Sequence, residues 1–143
     1  MRVSDVLASK GSGAVFTIRP EASVRDLLDQ LAEHNVGAMI VSDDGHTMLG
    51  IVSERDIVRK LRDADNARDM TVDSIMTTDV RVCAPDDSFK SLMQVMTEHR
   101  VRHVPVLDDG ELVGMLSIGD AVKHRMEQLE FERDQLNKYV AGG

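Results

Sequence analysis

The chain has no tryptophan, one tyrosine, three phenylalanines and a single cysteine in its 143 residues. So few aromatic rings leave no platform on which successive nucleic-acid bases could stack. A lone cysteine, Cys83, cannot form an internal disulfide, which argues against a secreted disulfide scaffold and fits a reducing cytoplasm. Positive charge is also short: 17 Lys and Arg against 25 Asp and Glu give a formal net charge of −8. Such a surface repels nucleic-acid polymers and anionic membranes. No apolar run approaches the ~18 residues of a membrane span, and the opening Met1-Arg2-Val3-Ser4-Asp5 leads into no signal-like apolar stretch. What the sequence does have is 42% apolar residues, enough for the core of one compact domain.

It also has an internal repeat. Residues 20–45 match residues 85–110 at a constant offset of 65, through Pro20/Pro85, Ser23/Ser88, Leu27/Leu92, His34/His99, Val36/Val101 and Val41/Val106. Asp43-Asp44-Gly45 returns as Asp108-Asp109-Gly110. At offset 64, Gly50, Ser53, Asp56 and Val58 recur as Gly114, Ser117, Asp120 and Val122, while Val3, Val6 and Leu7 answer to Val72, Ile75 and Met76 at offset 69.

Each unit predicts the order β-α-β-β-α. A short apolar lead-in precedes a small strand, Val15 to Ile18 or Val80 to Cys83. An amphipathic helix follows, capped by Ser23 or Ser88, with Val24, Leu27, Leu28 and Leu31 on one face of the first. Two apolar runs joined at Asp-Asp-Gly predict a hairpin, and a last helix opens at Ser53 or Ser117. The expected fold class is α/β (α+β): two pseudo-symmetric repeats packed as one module, since ~60 residues alone are marginal. The expected boundaries are 1–62 and 72–126 for the repeats, 63–71 for a linker and 127–143 for a helical extension and tail.

The recurrence that points to chemistry is Gly-apolar-apolar-Ser-x-x-Asp, present as Gly50 to Asp56 and as Gly114 to Asp120. Both copies fall at a strand-to-helix junction, where free backbone N–H groups and the helix dipole favour an anion. The serine hydroxyl can add a hydrogen bond to a phosphate. The aspartate repels phosphate but can accept two hydroxyl protons, which suits the diol of a ribose. The same Ser-x-x-Asp spacing is also a helix capping box.

With these residues and Val101-Arg102-His103-Val104-Pro105-Val106, the chain resembles a tandem cystathionine-β-synthase (CBS) domain pair, also called a Bateman module, over nearly its whole length. The resemblance implies two clefts between the repeats that bind adenosyl ligands: AMP, ADP, ATP, S-adenosylmethionine or NAD(H). Carried over by position, one site comprises Thr17, Gly37, Ala38, Met39, Ile40, Ser53, Arg55 and Asp56. The other comprises Val82, Arg100, Arg102, His103, Val104, Pro105, Ser117 and Asp120. The implied role is a non-enzymatic sensor, with AMP the leading ligand and ATP, ADP or NAD(H) the others. No nucleophile–base–orienter set supports an enzyme, and no catalytic cofactor is expected.

Arg100, Arg102 and His103 stand where the first unit has Asn35, Gly37 and Ala38, so the Ser117/Asp120 site is expected to bind phosphate more tightly. Since the clefts lie between repeats, Arg55 is also a candidate for a phosphate in the neighbouring site. Pro105 is expected on an edge strand or at a bulge, leaving backbone groups free to read adenine.

His99 and His103 have H-x3-H spacing but no partners for a metal site. Cys83 reads as a buried, inert thiol. Val122, Met126, Leu129, Arg133, Leu136 and Val140 recur in steps of four and three on a helix expected from Ile118 to about Val140. That stripe points to a homodimer assisted by this helix. The alternative function is a constitutive dimerisation module with silent ligand sites.

Overall fold

A computed structural model describes residues 1–10 and 15–142. The elements are α1 (Val3–Ser9), β1 (Thr17–Ile18), α2 (Val24–His34), β2 (Ala38–Val41), β3 (Gly50–Ser53), α3 (Glu54–Asp63), α4 (Val72–Ile75), α5 (Phe89–His99), β4 (His103–Asp108), β5 (Glu111–Ser117) and α6 (Ile118–Gly142). A 3-10 turn at Ala67–Asp69 lies between α3 and α4. The α/β repeat is therefore present, with the lead-ins folded as the short helices α1 and α4.

The serines start the helices as their spacing predicts. Ser23 Oγ accepts the Asp26 amide at 3.0 Å and Ser88 Oγ accepts the Ser91 amide at 3.0 Å. Both helices end in a left-handed residue at equivalent positions, Asn35 and Arg100, each with φ of 53°.

Two hydrophobic cores form, one per repeat, and each borrows the other repeat's lead-in. Val3 and Val6 of α1 pack with Phe89, Leu92, Met96, Val104, Val106 and Leu116 of the second repeat. Val72 of α4, with Ile75 beside it, packs with Val24, Leu27, Met39, Val41 and Val52 of the first. Backbone bonds fix the exchange: the Val3 amide donates to Asp87 O at 2.8 Å, and Thr77 and Ile51 exchange amide-to-carbonyl bonds at 2.8 and 2.9 Å. Neither repeat closes its core alone, so the module folds as one unit. The segment expected as a linker shares in this, since Ala67 is buried.

The sheets differ between the repeats. In the first, β1 lies parallel to β2 over Thr17↔Ile40 and Ile18↔Val41, and β2 pairs antiparallel with β3. In the second, β4 pairs with β5, and the expected strand from Val80 to Cys83 is reduced to one bridge, Cys83↔Val106. Pro105 is the reason. It occupies the position of Ile40, and a proline cannot donate the amide a Val82 rung needs. Nor is its carbonyl free to read a base, because it accepts the Cys83 amide at 3.0 Å.

The Asp-Asp-Gly hairpins also diverge. Asp109 and Gly110, with φ of 52° and 81°, make a tight two-residue turn between β4 and β5. In the first repeat the connection widens to residues 42–49, where Asp44 Oδ1 accepts the His46 and Thr47 amides, both at 2.8 Å. Those amides hold the Asp44 carboxyl below the usual carboxylate range.

Candidate nucleotide cleft

Both Gly-x-x-Ser-x-x-Asp segments fold as strand-to-helix junctions with reciprocal caps. Ser53 Oγ accepts the Asp56 amide at 3.4 Å, and Asp56 Oδ2 accepts the Ser53 amide at 2.8 Å and its hydroxyl at 3.0 Å. In the second copy the Asp120 amide donates to Ser117 Oγ at 3.1 Å, and Asp120 Oδ2 accepts the Ser117 amide at 2.9 Å. The capping reading of this spacing is correct. It leaves ligand chemistry open, because each aspartate uses mainly one of its two oxygens.

The first amide of each helix is also spent in a matched way: Glu54 N donates to Gly37 O at 3.0 Å and Ile118 N to Arg102 O at 2.8 Å. These bonds tie each helix start to the segment entering the paired strand. The two junctions lie close to one another, with His103 Cε1 and the Glu54 carboxylate both beside Gly37.

One cleft, of about 550 Å³, opens between the repeats. Its lining combines Gly37, Ala38, Ser53, Arg55 and Asp56 from the first expected site with Arg100, Arg102, His103 and Ser117 from the second. Ile51, Val80 and Val101 add apolar surface, and Glu54, Arg59, Thr77, Asp79, Arg81, His99 and Ile118 complete it. The two residue sets inferred by position are therefore shuffled. The second repeat's arginines flank the first repeat's Ser53 and Asp56, which removes the reason for ranking the Ser117/Asp120 site higher.

The remaining expected residues lie elsewhere. Met39, Ile40, Val104 and Pro105 are buried in the sheets and do not line the cleft. Thr17 is engaged in β1, and Val82 is exposed without lining the cleft. Asp120 borders a smaller cavity of about 110 Å³ with Val6, Ser9, Lys10 and His124. There Lys10 Nζ lies 3.0 Å from Asp120 Oδ2 and donates to Met115 O at 2.9 Å.

The electrostatics differ accordingly. Burial opposes ionisation of Asp120, but the Ser117 amide and the Lys10 ammonium outweigh it and hold the carboxyl below its ordinary range. Burial pushes the His103 imidazole down, against the raising influence of Asp120 and Glu54. Cys83 is buried and its thiol is pushed up to about 11, first by burial and then by Asp87, so it is a poor nucleophile. Among the described residues, no group of three or more His, Cys, Asp and Glu is placed to hold a metal ion. Among those same residues, no helix is long and apolar enough to cross a membrane.

Lys10, Arg59, Thr77 and Arg81 escaped sequence reasoning. Lys10, Thr77 and Arg81 follow the lead-ins, and locating them required knowing that each lead-in docks on the opposite repeat, whereas Arg59 stands one turn after Arg55 on α3, a spacing visible in the sequence.

The CBS domain model matches this chain twice, at residues 3–63 and 72–127. The chain belongs to the CBS-domain family. It is 34% identical over 149 residues to the mitochondrial CBS domain-containing protein CBSX3 of Arabidopsis thaliana, covering 99% of this chain and 72% of that protein. The structure of the CBS-domain containing protein ATU1752 from Agrobacterium tumefaciens superposes with a TM-score of 0.82 at 36% identity, covering 87% of this chain and 99% of that one. A structure of CBSX2 in complex with AMP matches with a TM-score of 0.70 at 25% identity, over 81% of this chain and 91% of that one. CBS-domain pairs of this kind fit a regulatory module, and the two family matches take up most of this chain.

Proposed function

We propose that this CBS pair is a non-enzymatic regulatory module that binds an adenine nucleotide in the cleft at Ser53 and Asp56. The observation that carries this reading is the convergence, in one cleft, of a diol acceptor, a helix N-terminus, an apolar wall and a set of arginines. Asp56 is half-buried, and its Oδ1 meets only Thr77 Oγ1, at 3.5 Å. That oxygen is available to ribose hydroxyls. Ala38, Ile51, Val80 and Val101 form a slot for the base without aromatic stacking. The phosphate then lies toward the start of α3, where Arg55 supplies charge. The AMP complex of CBSX2 supports AMP as the first ligand to test.

Regulation requires the ligand to favour one arrangement of the module over another, and a second copy of the chain is the partner we propose to read it. Val122, Met126, Leu129, Leu136 and Val140 of α6 are all exposed, which also favours the second reading, a constitutive dimerisation module.

Calorimetric titration with AMP separates the two. The expected result is saturable binding to the wild type, with Asp56→Ala weakening it at least ten-fold. Asp56→Asn, which keeps an oxygen for the Ser53 amide, controls for loss of the helix cap. Absence of AMP binding to the wild type, or full affinity in Asp56→Ala, removes the sensor reading and leaves the dimerisation module.

A further inference from the structure

Arginines outside the cleft are mostly neutralised by neighbours. Arg2, Arg19, Arg25, Arg62 and Arg133 each lie within 4 Å of a carboxylate. Arg55, Arg59, Arg81, Arg100 and Arg102 line the cleft, and none has a carboxylate at ion-pair distance among the described residues. In a chain of net charge −8, five exposed guanidinium groups gathered unpaired in one concavity mark an anion site.

They also arrive from four segments. Arg55 and Arg59 project from α3, Arg81 from the chain after α4, Arg100 from the cap of α5 and Arg102 from the approach to β4. Arg100 occupies the left-handed region at φ 53°, where glycine or asparagine is favoured; its counterpart at that position is Asn35. The fold accepts this backbone cost at a residue that faces the cleft.

The cleft also holds Glu54, Asp56 and Asp79. Asp56 is turned to Ser53 and the diol position, and Glu54 lies beside Gly37 and His103. The arginines therefore still outnumber the carboxylates that share the cleft. A single terminal phosphate has three oxygens with about six acceptor positions, which three bidentate guanidinium forks fill. Five forks suit a longer chain of phosphates.

We propose that this cleft selects nucleotides carrying two or more phosphates, the second and later phosphates being held by Arg100 and Arg102 of the second repeat. The inference rests on the reading of the cleft as an adenine-nucleotide site and narrows its ligand class. The volume of about 550 Å³ lies within the range of small-molecule sites.

The test is calorimetry on the full chain at physiological salt with adenosine, AMP, ADP, ATP and inorganic pyrophosphate as separate probes. ADP and ATP are expected to bind at least ten-fold more tightly than AMP, and pyrophosphate to compete with ADP. The double variant Arg100→Gln/Arg102→Gln is expected to lose that preference, bringing ADP to within about three-fold of AMP while adenosine affinity stays unchanged. Equal affinity for AMP and ADP in the wild type overturns the proposal, as does a double variant that weakens both nucleotides equally. Those results leave the adenine-nucleotide reading standing, provided AMP binding still depends on Asp56. Binding of pyrophosphate together with no detectable binding of adenosine, AMP, ADP or ATP overturns both.

Discussion

The two junctions share one sequence pattern, yet one aspartate faces an open, basic cleft and the other borders a small cavity and pairs with a lysine. Asp56 keeps an oxygen toward the cleft, with Thr77 at its margin, whereas Asp120 is held by Lys10. Thr77 and Lys10 both come from lead-in segments, each docked on the other repeat's junction. Duplication copied the junctions, but the function of each depends on what the exchanged lead-in brings to it. The difference between the two aspartates is therefore set by residues some 20 and 110 positions away from the motif.

The largest test of the comparison is at the paired glycines. A Cβ on Gly50 meets the Thr77 carbonyl oxygen at 2.7 Å, whereas a Cβ on Gly114 meets Leu7 Cδ2 at 2.7 Å. The first obstacle is backbone, locked by the Ile51–Thr77 bonds; the second is the end of a side chain that can rotate. Gly50→Ala is expected to destabilise by about 2–3 kcal/mol and Gly114→Ala by about 1 kcal/mol or less, from the usual range of overpacking costs. Urea unfolding of both variants checks this, and equal losses would mean that the two lead-ins dock equally rigidly.

Much of this was readable from local pattern. Ser23, Ser53, Ser88 and Ser117 all cap the helices their spacing predicts, and the Asp109-Gly110 turn has the two positive φ values its sequence asks for. The helix expected to begin at Ile118 does so and runs to Gly142. The pairing of repeats was not readable, because periodicity reports which face of an element is buried and not which core receives it. Val3 and Val72 look equivalent in sequence and are equivalent in structure, yet each belongs to the opposite core. The crossing closes a single module in which Arg100 and Arg102 line the same cleft as Asp56.

A middle-sized effect is expected at Lys10. Its ion pair with Asp120 is partly solvated, with the two side chains 33% and 24% exposed, so its strength is modest. Lys10→Met removes the cation from Asp120 Oδ2 and leaves the Ser117 amide on that oxygen. The Asp120 carboxyl is expected to titrate closer to its ordinary range, with a stability loss of about 1 kcal/mol or less, while AMP binding at the Asp56 cleft is unchanged. An NMR titration of the Asp120 carboxyl, with calorimetry against AMP, checks both parts. An unchanged Asp120 titration would show that Lys10 is not what separates the two junctions.

The smallest effect concerns the shortened sheet, and there stability is the wrong observable. Pro105→Val restores a backbone donor at the position of Ile40, so a Val82 rung can form beside Cys83↔Val106. The new hydrogen bond contributes about 0.5–1.5 kcal/mol. Losing proline releases entropy in the unfolded chain worth about 0.4–1 kcal/mol in the opposite direction. The two terms nearly cancel, and the unfolding free energy should move by less than about 1 kcal/mol. Local exchange does not cancel in this way. The Cys83 amide already donates to the residue 105 carbonyl at 3.0 Å, and a second rung beside it should slow its hydrogen exchange several-fold. If exchange at Cys83 is as fast in Pro105→Val as in the wild type, the missing donor is not what limits the strand to one bridge.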